Sequence, residues 1–135
     1  SHIDILARFC DPETIAYLKS DDPEDPDYES LMNMEAQLQS FRTLDGKPYR
    51  LVPLPKPEQM FLDDYPLPAS YANFLIINGA VLVPGTGSDL DEVVRMRLQE
   101  VFPDREVIII DCRPLLSGHG GLHCVTMQLP EGWLE

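Results

Sequence analysis

Apolar and polar positions along the chain switch between two rhythms. Residues 2–10 alternate imperfectly and predict a strand with His2, Asp4 and Leu6 on one face. Asp11-Pro12 turns the chain into a second short strand over 14–18. Residues 21–27 carry five acids and two prolines, which repel one another and block a helix, so a solvated loop is expected there. Over 28–44 the rhythm changes. Leu31, Met34, Leu38 and Phe41 recur at helical steps, with Asp27 or Ser30 placed to cap the start and Asp45-Gly46 to stop it. Residues 49–54 form a strand, and Pro53, Pro55 and Pro57 push its end to a sheet edge.

A Pro- and Asp-rich stretch over 56–68 reads as a long loop. The rhythm then repeats. Asn78-Gly79 between the apolar runs 73–77 and 80–83 is a hairpin signal, because that dipeptide tolerates the positive φ of a tight turn. Asp89 and Glu92 form a capping box for a helix running to Phe102, with Leu90, Val93, Val94, Leu98 and Val101 as its buried side. Pro103 ends it. Residues 106–111 form a near-continuous apolar strand, expected to be buried on both faces. A last strand carries Leu122, Cys124, Thr126 and Gln128 on one face and His123, Val125, Met127 and Leu129 on the other. The order is strand, strand, helix, strand, and then a second round of the same kind. An α/β protein of two ββαβ modules is expected, over about 1–57 and 68–135, without a sequence repeat between them.

Composition narrows the partners. The chain of 135 residues is 44% apolar and holds a real core. Its 10 basic against 23 acidic residues, net −13, argue against nucleic acid and leave a cationic small molecule admissible. No apolar run reaches membrane-spanning length, so no membrane partner is expected. Cys10, Cys112 and Cys124 are an odd set and read as reduced thiols. No signal sequence precedes Ile3, so a cytoplasmic setting is expected. A strand pattern that begins at once suggests a piece of something larger, although Ser1-His2 also fits the remnant of a tag.

Candidate chemistry gathers near the C-terminus. Gly120 and Gly121 let backbone approach a ligand closely, and Cys124 follows at the mouth of a strand, a good position for a nucleophile. Taken alone the stretch reads as a small buried hydrophobe, the usual state of a free cysteine. The His2-Asp4 pair, taken alone, reads as a polar strand face. Gly85-x-Gly87 invites a nucleotide-loop reading, rejected because Leu90 stands in place of the third glycine and a hairpin precedes it. Cys112, His119, His123 and Cys124 match no strong zinc spacing, and neighbouring strand residues point to opposite faces.

Four runs together resemble the agmatine deiminase and Porphyromonas-type peptidylarginine deiminase family of the guanidine-modifying (pentein) superfamily. They are His2-Ile3-Asp4-x-Leu6-Ala7-Arg8-Phe9, Pro68 through Gly79, Phe102-Pro103-Asp104-Arg105-Glu106-Val107, and His119 through Gln128, in the family's order and across nearly the whole chain. The resemblance implies a pentein-type α/β propeller, with about two of five modules present here. It implies Cys124, His2 and Asp4 as the catalytic set, with Asp4, Gly120 and Gly121 at the substrate. The implied reaction converts a guanidinium to a ureido group and ammonia, with no metal or organic cofactor. The family's Trp-x-Arg-Asp motif is missing; the single Trp is Trp133, and His119 stands where many members have glycine. The similarity therefore covers a C-terminal portion. Partnership with the missing N-terminal modules, and self-association of the isolated chain, are expected, and a non-catalytic interaction module is the alternative.

Overall fold

A computed structural model describes residues 6–57, 60–62, 65–67 and 70–111. Alternating apolar residues pair first as a hairpin. Strand β1 (Ala7–Asp11) runs antiparallel to β2 (Thr14–Lys19), with Ala7 opposite Tyr17. The turn between them closes where Glu13 N donates to Asp11 Oδ1 at 2.8 Å. Helix α1 (Tyr28–Ser40) then carries the chain back to β3 (Arg50–Pro55), which lies parallel to β2. The second round repeats this path. Strand β6 (Leu75–Ile77) is antiparallel to β7 (Ala80–Gly85), helix α2 (Leu90–Val101) crosses over, and β8 (Glu106–Asp111) lies parallel to β7. Both three-stranded sheets thus have ββαβ order. Asn78-Gly79 makes the expected turn, with Gly79 at φ 82°.

Several expectations are corrected. Helix α1 ends at Ser40, short of Leu44, because Phe41 turns extended and the chain closes a small loop in which Gly46 N donates to Thr43 O. Phe41 is therefore 51% exposed and leaves the apolar stripe, while Leu31 and Leu38 remain buried. Asp27 precedes the helix without a side-chain capping bond; its carboxylate pairs with Lys56 Nζ at 3.0 Å instead. The capping box at α2 does not form either. Asp89 is itself helical, and Glu92 binds Arg95. Val93 is 39% exposed, because the buried side of α2 runs through Val94, Leu98 and Val101. Within the expected loop over 56–68 sits a two-stranded antiparallel hairpin, β4 (Met60–Leu62) with β5 (Tyr65–Leu67). Three-residue strands are too short to show as alternation. Finally, β8 is not buried on both faces: Val107 is buried, but Ile108 is 38% exposed. One face of β8 meets α2 and the other does not.

The packing forms alternating layers. One face of the first sheet (Ile15, Tyr17, Leu51) packs on α1 through Leu38 and Met34. Its other face (Cys10, Ala16, Val52, Leu54) joins α2 and the inner face of the second sheet in the main core, which includes Phe74, Val81, Val83, Val94, Leu98 and Val107. Helix α2 thus sits between the two sheets, and Arg97 donates to Pro53 O at 2.7 Å to tie it to β3. Leu98 and Val94 have no exposed surface, so truncating Leu98 to Ala costs about 2–5 kcal/mol. A third, smaller cluster of Leu75, Leu82 and Ile110 lies on the face of the second sheet that α2 does not cover.

Candidate active site

The two ββαβ units bring corresponding pieces of chain to one edge. Ala7 opens β1 beside Tyr17, and Leu18 N donates to Leu6 O at 2.8 Å, so the first strand starts beside the carboxyl end of β2. Leu75 opens β6 opposite Leu82, toward the carboxyl end of β7. Gly85 and Asp111 close the parallel pair at that same end. Ligands of open α/β sheets sit outside the carboxyl ends of parallel strands. The described geometry therefore places a candidate site where β1 and β6 begin and where β2, β3, β7 and β8 finish.

In the second unit this edge is a tightly bonded corner. Ser70 Oγ accepts from Ala72 N at 3.1 Å, and Asn73 N donates to Ser70 O at 3.2 Å. Asn73 is only 2% exposed, and Tyr71, Ala72 and Phe74 are wholly buried. Tyr71 donates its hydroxyl to Asp91 Oδ1 at 2.7 Å. The same carboxylate accepts from Thr86 N at 3.0 Å and, through Oδ2, from Gly87 N at 2.9 Å. Burial pushes the Tyr71 hydroxyl above its ordinary pKa; the bonds to Ser88 and Thr86 pull it down, and the Asp91 carboxylate pushes it up again. The amides of the Gly85-x-Gly87 loop thus serve an internal carboxylate, in keeping with rejection of a nucleotide loop. Gly85 is needed for close approach: a Cβ there would lie 2.5 Å from Ile109 Cγ2 and 3.1 Å from Asp91 Oδ2.

In the first unit the acidic loop folds onto a cation of its own. Lys56, just past β3, binds Asp25 at 2.6 Å and Asp27 at 3.0 Å, and Ser20 Oγ donates to Asp25 Oδ2 at 3.1 Å. The Lys56 bond, followed by the Asp27 amide, holds the Asp25 carboxyl below its usual range. Lys19 binds Glu35 at 3.1 Å, and Tyr17 donates its hydroxyl to the same carboxylate.

Arg8 joins the two units. From β1 its guanidinium donates to the carbonyls of Ala72, at 3.4 Å, and Phe74, and lies 4.8 Å from the centre of the Phe74 ring. Carbonyl bonds and a cation over an aromatic face hold it from two directions.

His2, Asp4, Gly120, Gly121 and Cys124 lie outside the described residues, as do Cys112, His119 and His123. The described residues begin two positions after Asp4 in the sequence and stop at Asp111, ahead of the glycines and Cys124. Among the described residues no cluster of His, Cys, Asp or Glu is arranged to hold a metal. Sequence reasoning did not single out Arg8, Tyr71, Asn73 or Asp91. The first three lie within the quoted runs, so their signal was present; Asp91 is a first-turn helix acid with no distinguishing pattern.

The fold is that of the peptidyl-arginine and agmatine deiminases of the pentein superfamily. The chain belongs to the Porphyromonas-type peptidyl-arginine deiminase family, whose pattern matches residues 1–130. A crystal structure from Porphyromonas gingivalis, provisionally described as an arginine deiminase, is 60% identical with a TM-score of 0.94 over 97% of this chain and 39% of that one. C. jejuni agmatine deiminase is 38% identical with a TM-score of 0.83, covering 91% of this chain and 37% of its own. That enzyme is also solved as a cysteine-to-serine variant with substrate bound. Agmatine deiminase of Pseudomonas syringae pv. tomato is 31% identical, covering 96% of this chain and 40% of its own. The chain thus spans about two fifths of the length of the curated relatives it matches.

Proposed function

We propose that this chain supplies the nucleophile half of a guanidine-hydrolysing site, completed in a longer protein by further ββαβ modules. The substrate class is agmatine or a related arginine derivative, and the products are the ureido compound, N-carbamoylputrescine from agmatine, and ammonia. The observation that carries this reading is the match to agmatine deiminases along nearly all of this chain. The substrate-bound cysteine variant of the C. jejuni enzyme supports a cysteine at the chemistry.

A guanidinium carbon is a poor electrophile because its charge is spread over three nitrogens, so attack needs a thiolate. In the proposed sequence Asp4 accepts bonds from the substrate guanidinium nitrogens and orients its plane. The Cys124 sulfur donates an electron pair to the central carbon. His2 passes a proton to the departing nitrogen, the C–N bond breaks and ammonia leaves a thiouronium on sulfur. His2 then takes a proton from water; the water oxygen bonds to carbon, the C–S bond breaks and thiolate returns. One water is consumed per ammonia released. Gly120 and Gly121 admit the substrate close to backbone. The scheme uses no cofactor.

Turnover of agmatine, arginine and a peptidyl-arginine by the full-length protein tests this reading. Ureido product should form from one of them. Cys124→Ala should lower kcat by roughly a thousandfold or more, with the fold intact. A Cys124→Ala protein that keeps its rate contradicts the assignment.

A further inference from the structure

Arg8 is a charged side chain of the candidate edge to which the proposed chemistry gives no task. It stands on β1, downstream of Asp4, and its guanidinium bonds the carbonyls on either side of the buried Asn73 while covering the Phe74 ring. Those carbonyls belong to the corner that Tyr71 fastens to Asp91 and, through it, to the Thr86–Gly87 amides. One side chain thereby connects the strand that follows His2 and Asp4 with the corner and loop of the neighbouring unit. Near its base, Leu6 O and Leu18 N fix β1 to β2. Toward the second unit, Arg8 ties β1 by its carbonyl bonds, beside the packing of Cys10 in the shared core.

We propose that Arg8 is a positioning residue: it sets the placement of β1, the strand that follows His2 and Asp4 in the chain, relative to the Ser70–Phe74 corner, and it acts on catalysis through that placement without touching substrate. The inference rests on the function proposed above. Arg is suited to the task and Lys is not. Nη1 alone bonds both carbonyls while the flat guanidinium lies over the Phe74 ring, whereas an ammonium is a compact point charge with no plane to lay on a ring. A misplacement of about 1 Å at a reacting group can cost on the order of a hundredfold in rate, so the tie need not be strong to matter.

The test uses the full-length protein and compares wild type with Arg8→Gly and Arg8→Lys, well below the melting temperature of each. Arg8→Gly should lower kcat at least about tenfold and raise KM as well, because the misalignment displaces Asp4 together with His2. Arg8→Lys should recover only part of the loss. Ethylguanidinium, added at saturating substrate so that competition for the active site is suppressed, should fill the vacated cage of Arg8→Gly and raise its kcat severalfold, with no such rise in wild type. Arg8→Gly that is folded, with unchanged kcat, overturns the positioning role and leaves the proposed function standing. A kcat loss that Arg8→Lys fully restores, or that ethylguanidinium leaves untouched, also overturns it, since charge or general stability would then suffice. A wild-type protein that hydrolyses no guanidinium substrate overturns both readings.

Discussion

At the scale of single residues, environment decides what a thiol can do. Cys10 is buried in the main core, and desolvation pushes its pKa up to about 11 against the opposing bond with the Ala16 backbone. Only a minute fraction is thiolate at neutral pH, and burial shields even that. Iodoacetamide should therefore label Cys10 last in the native full-length protein, as read by peptide mass spectrometry. Cys124, if nucleophilic, should label first. A cationic haloacetamidine should favour it further, and Asp4→Asn should remove that preference. Equal labelling of Cys10 and Cys124 in the native state would remove the distinction. Much at this scale was not legible in advance. Burial of Cys10 depends on Val52 and Leu54 from a strand far along the chain and on α2 beyond it. The use of Asp91 by a tyrosine twenty positions earlier has no local mark.

At the scale of elements, both ββαβ rounds were legible because each strand and helix keeps its own period, and because Asn78-Gly79 fixes its turn almost alone. The helix ends were less so. Asp27 and Asp89 look like caps, but tertiary partners compete: Lys56 takes Asp27, and the α2 start turns its carboxylate work over to Asp91. These ion pairs make stability depend on pH. Asp25 and Glu35 both have pKa values below their ordinary 3.8 and 4.5, Asp25 first through Lys56 and Glu35 first through the Tyr17 hydroxyl. A depressed folded-state pKa stabilises above the unfolded value, and that stabilisation is lost as pH falls through the folded one. Tyr17 works in the opposite direction. Burial, then the bond to Glu35, raises its pKa above 10.0, so its contribution is full below that value and is lost as pH climbs through the raised one. Tm should be flat between about pH 5 and 9 and should fall on both sides. Lys56→Met should lower the plateau and shrink the drop between about pH 5 and 3, since Asp25 then titrates nearer its unfolded value. Wild-type and variant curves that run parallel down to about pH 3 would show that the pair contributes nothing.

At the scale of the whole molecule, the layers formed by the described residues alternate helix, sheet, helix, sheet. Helix α2 fills the space between the two sheets, whereas the outward side of α1 presents Met32 and the far side of the second sheet presents Ile77 and Ile108. We expect such end layers to be met by further modules. The isolated chain should therefore associate with itself or with the remainder of its parent, and light scattering at increasing concentration should show a mass above one chain. A monomer at every concentration would contradict that expectation. The layer order itself was not readable from sequence. Periodicity tells which face of an element is apolar, but not which other element covers it.

The central claim, that Cys124 attacks a guanidinium, is tested most directly by trapping the intermediate. The full-length protein is mixed with agmatine, quenched in acid during turnover and digested, and the peptide containing Cys124 is weighed by mass spectrometry. The account predicts an added mass equal to the whole of agmatine less ammonia, carried on Cys124, absent from Cys10 and Cys112, and more abundant in His2→Asn, where hydrolysis of the thiouronium is slowed. Turnover with an unmodified Cys124 in both wild type and His2→Asn, or the same mass on Cys10, would contradict it.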